Sequence, residues 1–160
     1  MKVTIKELAE KAGVSKTAVS FAFNNPKRIS EETYKRIMKI AKEIGYTPDP
    51  LARILATKQT GTIGVLFPQS VSEVLQNPYI SDLIRGIGTV CDREELALTL
   101  MSPMKGILNN TIQKAAVDGM IIIGVDKDNS VHSAFKMRNM PYVAIDAKSN
   151  AGYINVGIDD

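Results

Sequence analysis

Residues 4–24 read TIKELAEKAGVSKTAVSFAFN, and this stretch predicts two short helices joined by a tight turn. Thr4 and Glu7 have the S/T-x-x-E spacing of a capping box, in which two residues satisfy each other's free N–H groups at a helix start. Ser15 can cap the second helix, and Gly13 permits the backbone conformation that a tight turn requires. An apolar seam joins the two helices: Leu8, Ala9, Val14, Val19 and Phe23. This is the helix-turn-helix pattern, whose second helix enters the major groove of DNA.

The second helix is predicted to have one buried and one exposed side. At about 100° per residue, its apolar side carries Val19, Ala22 and Phe23, and the remaining surface carries Lys16, Thr17, Ser20, Phe21 and Asn24. Lys16 can donate to guanine or to phosphate, and Thr17 can hydrogen-bond a base or touch a thymine methyl. Ser20 and Asn24 are short polar side chains suited to phosphate, which fixes register without reading sequence.

Phe21 has two possible roles in this pattern. A core position is the ordinary interpretation of a phenylalanine, but the helical wheel places Phe21 far from the Val19 seam. An apolar side chain held outward there suits contact with a thymine methyl, and we favour base contact over core packing.

The same run closely resembles the DNA-binding head of the lactose/galactose-repressor family of bacterial transcription regulators. The family pattern is T-I-x-D/E-V/L-A-x-x-A-G-V-S-x-x-T-V-S-x-x-L-N. Further matches extend along the chain: Ile29-Ser30-Glu31-Glu32-Thr33, Ile44-Gly45-Tyr46-Thr47-Pro48, Leu51-Ala52-Arg53, Thr62-Ile63-Gly64-Val65-Leu66 and Val117-Asp118-Gly119-Met120-Ile121-Ile122. Together, the helical pattern and the resemblance predict DNA contacts from Ser15, Lys16, Thr17, Ser20, Phe21, Asn24 and Ser30.

Two residues of the head depart from the family pattern. Ala18 replaces the usual Thr, and this change is expected to remove one phosphate contact. Phe21 stands where members commonly carry Arg or His, so no guanine preference is carried over at that position.

Charge is distributed unevenly along the chain. The formal net charge is +3, but residues 1–60 hold 12 Lys and Arg against 6 Asp and Glu, whereas residues 61–160 hold 8 against 11. A solvated lysine surface would give the same imbalance. Together with the helix-turn-helix, a basic head on a mildly acidic body is typical of a protein that binds nucleic acid with one end.

The remaining composition disfavours several other classes. The single cysteine, Cys91, cannot form an intrachain disulfide and is expected in the core, and with His132 it makes no metal-ligand set. No phosphate-binding glycine loop and no paired catalytic residues are found, so we expect no cofactor, no metal and no enzymatic activity. The first residues have no apolar signal region and no stretch is long enough to span a bilayer, which predicts a soluble, cytoplasmic protein without membrane contact.

A third helix and a short linker follow the helix-turn-helix. Ser30 is expected to open the third helix and Gly45 to end it. Asp49 can cap, and Pro50 can begin, a short helix after residue 48, although a plain linker remains equally open from these residues alone. The family resemblance implies a hinge helix that orders on DNA, with Leu55 as a wedge inserted at a base step in the minor groove.

Alternating strands and helices are predicted after Gly61. The expected strands are 63–67, 96–101, 120–123, 142–145 and 153–158, and the expected helices are 78–95, 111–117 and 131–138. Such alternation predicts an α/β domain with a doubly wound parallel sheet, and the resemblance implies one lobe of a periplasmic-binding-protein-like fold. Family members run to about twice this length, so we interpret the sequence as a partial chain that lacks the second lobe.

Effector contacts are expected at the carboxyl ends of the strands, where ligands of such sheets bind. The candidates are Pro68, Gln69, Tyr79 and Asp146, with loop capping or core packing as an equal alternative for each. In the sugar-binding members Arg usually follows the aspartate, but here Ala147 follows Asp146, so a sugar is not implied.

These observations predict a sequence-specific DNA-binding transcription regulator of three parts: a head (1–47), a hinge (48–60) and one effector-binding and dimerisation lobe (61–160). We expect a homodimer that represses transcription from a palindromic operator in double-stranded DNA and responds to a small-molecule effector or corepressor. The alternative is a sugar-type small-molecule binding protein without a DNA role. That alternative predicts an export signal and no basic head, and the sequence fits neither expectation.

Overall fold

The computed structural model of the chain describes residues 2–125, 129–146 and 154–157. The chain divides into two compact units, residues 1–58 and residues 59–160. The expected fold class is confirmed, because a helical N-terminal region precedes a domain built on a parallel sheet.

The first unit consists of helices that begin and end at local signals. They are α1 (Ile5–Ala12), α2 (Lys16–Asn24), a 3₁₀ turn (Pro26–Arg28), α3 (Glu31–Ile44) and α4 (Pro50–Thr57). Thr4 and Glu7 form the expected capping box, Ser15 caps α2, and Ser30 caps α3. The 3₁₀ turn was not predicted by the sequence pattern.

The core of this unit lies where α1, α2 and α3 meet. Its buried members are Leu8, Ala9, Ala12, Val19, Ala22, Ile37 and Ala41. Val14 and Phe23 of the predicted seam are half-buried against this cluster, and the ring of Phe23 lies 5.5 Å from that of Tyr46, centroid to centroid. The apolar seam was therefore placed correctly, and α3 supplies the other half of the core.

Five parallel strands form the second unit. They are β1 (Thr62–Leu66), β2 (Ala97–Met101), β3 (Gly119–Ile123), β4 (Tyr142–Ile145) and β5 (Ile154–Val156), in the order β2-β1-β3-β4-β5. The helices are α5 (Val71–Val74), α6 (Pro78–Arg93), α7 (Leu108–Lys114) and α8 (Asn129–Arg138). From β1 the chain passes to β2 at one edge of the sheet, and it then crosses to β3 on the other side of β1. The strand order therefore reverses next to β1.

Some predicted boundaries were wrong. The helix expected at 111–117 begins at Leu108 and ends at Lys114, because the buried Thr111 is held by the preceding loop. Its hydroxyl accepts from Met104 N at 2.8 Å and donates to the Ser102 carbonyl at 3.0 Å. The short helix α5 was missed, although Ser70 and Glu73 form a capping box at its start. For the strand expected at 153–158, the structure shows Ile154–Val156; 153 and 158 lie outside the described residues.

Helices cover both faces of the sheet. Helices α7 and α8 pack on one face around the buried Phe135, and α6 packs on the other face around Val65, Phe67 and Ile80. Cys91 of α6 is buried, as the sequence predicted. Within the described residues, no helix is both long and apolar enough to cross a membrane.

The Asp118 carboxylate holds the two residues that precede β1. Asp118, directly before β3, accepts hydrogen bonds from the Thr60 N–H at 2.6 Å, the Thr60 hydroxyl at 2.9 Å and the Gly61 N–H at 2.8 Å. Burial raises the pKa of Asp118, but these bonds favour the charged form more strongly, so its pKa lies below the ordinary value of 3.8. The ionised carboxylate therefore fixes the start of β1 against β3.

Replacing Asp118→Asn is expected to lower the free energy of unfolding at pH 7 by about 1–3 kcal/mol, because an amide NH₂ would face N–H donors. Since the pKa is lowered by folding, the wild-type advantage is present above pH 3.8 and is lost as the pH falls through the lower folded value. Denaturation followed by circular dichroism at pH 7 and at acidic pH measures both effects.

The exposed Asp92→Asn is the matched control and should change stability by less than about 0.5 kcal/mol. Equal stability of Asp118→Asn and wild type at pH 7 would show that these hydrogen bonds to Asp118 do not stabilise the fold.

Candidate nucleic-acid interface

The turn between α1 and α2 fixes the direction of the second helix. Gly13 adopts a left-handed conformation at φ 63°, and its N–H donates to the carbonyls of Ala9 and Glu10. Any L side chain is strained at this φ, which accounts for glycine here. Ser15 then opens α2, its hydroxyl accepting from Ala18 N at 3.1 Å.

Helix α2 is strongly two-sided. Val19 is fully buried and Ala22 nearly so. We call the other surface of α2 the recognition face, and it consists of Ser15, Lys16, Thr17, Ser20, Phe21 and Asn24. The first three of these and Asn24 are exposed, whereas Ser20 and Phe21 are half-buried.

Lys16 and Thr17 occupy the first turn of α2 on this face. In the part of the chain that the structure describes, the Lys16 ammonium has neither an ion pair nor a hydrogen bond. An exposed cation beside a hydroxyl in the first turn has the chemistry that base edges and phosphates require.

Three polar residues predicted to contact DNA, Ser20, Asn24 and Ser30, form hydrogen bonds within the head. The Asn24 side-chain amide donates to the Ser20 hydroxyl at 3.3 Å, which couples the two across one turn. Ser30 accepts from Thr33 N at 3.2 Å, and its hydroxyl donates to the Thr33 hydroxyl at 2.8 Å. Ser30 therefore acts as the cap of α3 in this structure.

Phe21 is outside the core, as the helical wheel indicated, but it is not bare. The guanidinium carbon of Arg28, at the end of the 3₁₀ turn, lies 5.3 Å from the centroid of the Phe21 ring. This is a cation–π arrangement, which stabilises exposed pairs by about 0.5–1 kcal/mol. Arg28 thus lies beside the recognition face, although the sequence pattern did not point to it.

The predicted hinge forms helix α4. Asp49 caps it by accepting from Leu51 N at 3.0 Å, and Pro50 occupies the first turn. This hydrogen bond, followed by the nearby Lys2 ammonium, holds the pKa of Asp49 below its ordinary value. No residue of α4 is buried, and Leu51 and Leu55 are 70% and 80% exposed. Two unpartnered leucines one turn apart form an apolar stripe on an otherwise solvated helix.

Two of the candidate effector residues meet at the carboxyl edge of the sheet. The Tyr79 hydroxyl at the start of α6 donates to the Asp146 carboxylate after β4 at 2.6 Å. This hydrogen bond raises the pKa of Tyr79 above its ordinary value. Pro68 and Gln69 follow β1 on the same edge, half-buried and exposed respectively. Among the described residues, neither of them forms a side-chain hydrogen bond or an ion pair with Tyr79 or Asp146.

Metal coordination has no visible site in the described ranges, since no group of three His, Cys, Asp or Glu is suitably placed there. His132 is exposed, as expected, and its Nδ1 lies 2.6 Å from the Tyr142 hydroxyl, which ties α8 to β4.

Comparison with known proteins gives the same assignment along the whole chain. Residues 4–49 match the family model described as bacterial regulatory proteins, lacI family. An HTH-type transcriptional regulator of Mycobacterium tuberculosis is 31% identical over 165 residues, which cover 99% of this chain and 46% of that protein. The regulator IpsA of Corynebacterium glutamicum is 33% identical over 148 residues, covering 89% of this chain and 41% of its own.

Residues 4–49 form a head of the lacI family. The resemblance derived from the sequence motifs is therefore confirmed, and both relatives are named as transcriptional regulators rather than as enzymes. The chain spans less than half the length of these curated relatives.

A solved structure confirms the fold of the chain. The crystal structure of the Lac repressor dimer bound to operator and the anti-inducer ONPF matches with a TM-score of 0.76 at 22% identity. The match covers 99% of this chain and 49% of that one. At this identity the comparison supports the architecture alone.

The two faces of α2 in this lacI-family head give opposite expectations for stability. Val19→Ala should lower the free energy of unfolding of the head by about 2 kcal/mol, because it removes buried apolar volume from a small core. Lys16→Ala should change it by less than about 0.5 kcal/mol, because the side chain is exposed. Thermal unfolding of both variants provides the comparison, and a large loss in Lys16→Ala would contradict the assignment of faces.

Proposed function

We propose that this protein is a sequence-specific DNA-binding transcription regulator that represses transcription as a homodimer on a palindromic operator. The observation that carries the proposal is the recognition face of α2, with Lys16 and Thr17 exposed in its first turn while Val19 anchors the opposite side. Recognition helices contact base edges with their N-terminal residues, and a two-fold protein pairs with a palindromic site. The basic charge of residues 1–60 favours approach to phosphate. We propose a cytoplasmic location for a regulator of this kind.

The hinge helix extends this proposal to the minor groove. Leu51 and Leu55 are exposed, and a helix of eight residues is marginal in water unless its apolar face packs against another surface. In the proposed complex, the Leu55 side chain enters a base step and kinks the duplex, and the small Ala52 lets two hinge helices approach each other.

Self-association is proposed to use the sheet unit. Helix α6 presents a row of apolar side chains that its own unit leaves partly uncovered: Tyr79, Leu83, Ile87 and Val90. Such a strip suits an isologous contact, in which the same patch on two copies faces itself.

Control by a small molecule is proposed at the carboxyl edge of the sheet. Tyr79 and Asp146 converge at the same edge as Pro68 and Gln69, which follow β1, where the strand order reverses. A ligand with a hydrogen-bond donor would compete with the Tyr79 hydroxyl for the Asp146 carboxylate. The effector would act by favouring one separation of the two hinges over another.

The decisive experiment selects operators from a random duplex library with the 160-residue chain, measures affinity against salt concentration, and determines the mass in solution. Lys16→Ala is expected to lower operator affinity by about 1–3 kcal/mol if the ammonium reads a base, or to reduce the salt slope by about one if it holds phosphate. Lys114→Ala, an exposed lysine on α7 in the other unit, is the matched control and should leave both quantities unchanged. Wild-type affinity and salt slope in Lys16→Ala would overturn the assignment of the recognition face.

Leu55→Ala should weaken operator binding and reduce DNA bending while the head keeps its thermal stability, because the side chain is 80% exposed in the free protein. Bending is measured by energy transfer between the ends of a labelled operator. Leu55→Met retains an apolar wedge and serves as the control that should still bend the DNA. Undiminished bending with Leu55→Ala would exclude the wedge role.

A further inference from the structure

An arginine that the helix-turn-helix pattern does not supply lies beside the recognition face. Arg28 lies outside α2, at the end of the 3₁₀ turn that follows it, and its guanidinium carbon is 5.3 Å from the centroid of the Phe21 ring. Phe21 belongs to α2 and lies on the same side as Thr17, opposite the buried Val19. The turn therefore brings a cation onto the side of α2 that faces away from the core.

The backbone around Arg28 is held in place. The Arg28 N–H donates to the Asn25 carbonyl at 3.0 Å, and the Ile29 N–H donates to the Pro26 carbonyl at 3.3 Å. The Ile29 side chain packs against the core cluster of the head, which anchors the end of the turn. The backbone of the 3₁₀ turn, which carries Arg28, and the backbone of α2, which carries Phe21, are both held by hydrogen bonds. The position of the guanidinium over the ring therefore depends on side-chain rotation alone.

The Arg28 guanidinium keeps its donors available. Among the described residues it forms neither an ion pair nor a hydrogen bond, and the Phe21 ring is its one recorded contact. The nearest acid along the chain, Glu31, pairs instead with Lys35 at 2.6 Å. A guanidinium has five N–H donors, and a contact with the face of an aromatic ring leaves them available for hydrogen bonds.

We propose that Arg28, supported by the ring of Phe21, reads a guanine of the operator, and that Phe21 acts as the support of that arginine. The inference rests on the proposed DNA-binding function and adds a specificity-determining residue to it. Arginine binds guanine O6 and N7 with two parallel hydrogen bonds, a geometry that requires a well-oriented fork. The ring restricts the arginine before binding, so less side-chain freedom is lost in the complex.

Two features favour a base over a phosphate as the partner of Arg28. Its guanidinium lies over a residue of the recognition face rather than at the margin of α2. The neighbouring Lys27 is exposed, makes no ion pair in the described part of the chain, and has the compact charge that suits a phosphate. We therefore assign Arg28 to a base and Lys27 to a phosphate of the DNA backbone.

The test compares affinities for the selected operator and for its single-base variants, using the full chain. Wild type should prefer guanine at one position of each half-site, and Arg28→Ala should lower that preference by roughly 5- to 150-fold. Phe21→Leu should lower the same preference by about two- to fivefold, whereas Phe21→Tyr retains a ring and should retain the preference. In the Arg28→Ala background, Phe21→Leu should have no further effect on that base.

Lys27→Ala is the matched control for charge. It should weaken binding to all sequences equally and reduce the salt slope by about one, with the guanine preference unchanged. Circular dichroism melting of each variant verifies that the head is folded at the temperature of the measurement.

The outcomes separate this inference from the proposed function. If Arg28→Ala weakens all sequences equally and keeps the guanine preference, Arg28 is a phosphate contact and the inference is overturned while DNA binding stands. If Phe21→Leu keeps the full preference, the supporting role of the ring is overturned. If wild type binds no duplex with a sequence preference, the proposed function is overturned and the inference with it.

Discussion

The packing of Val19 and Ala22 of α2 against α1 and α3 determines which side chains of α2 face outward. A helix of nine residues has little stability by itself, so its orientation comes from this small core and from the turn at Gly13. A rotation of α2 by one residue would bury a polar side chain and expose Val19. The recognition face is thus the complement of the buried face, and it is maintained by the same apolar contacts.

Local signals explain why so much of the head was predictable from sequence. Thr4, Ser15 and Ser30 each cap a helix through hydrogen bonds that span only three residues, so the spacing of residues is sufficient to place the helix starts. Gly13 and Gly45 end α1 and α3 in left-handed conformations for an equally local reason. The alternation of strands and helices likewise predicted the parallel sheet, because a buried strand and an amphipathic helix differ in period.

The contacts that sequence patterns missed join residues that no local rule connects. Helix α7 was shifted in the prediction because Thr111 is fixed by carbonyl and N–H groups of the loop after β2. The Tyr79–Asp146 contact spans 67 positions, and only the common edge of the sheet brought the two residues together as candidates. Arg28 could not be assigned because its place over Phe21 depends on a 3₁₀ turn that the periodicity of α2 does not contain. Pro26 followed by two basic residues was the available signal.

Helix α4 contributes differently to the heat-capacity change of unfolding and to the heat-capacity change of complex formation. Unfolding raises the heat capacity in proportion to the apolar surface that becomes hydrated, and α4 has no buried residue to contribute. The apolar surface of Leu51 and Leu55 leaves water only when another molecule covers it. Calorimetrically, the hinge is therefore nearly silent in the melting of the free chain, and its burial would appear as a negative heat-capacity change of complex formation. A plot of the logarithm of the binding constant of such a complex against inverse temperature would then be curved rather than straight.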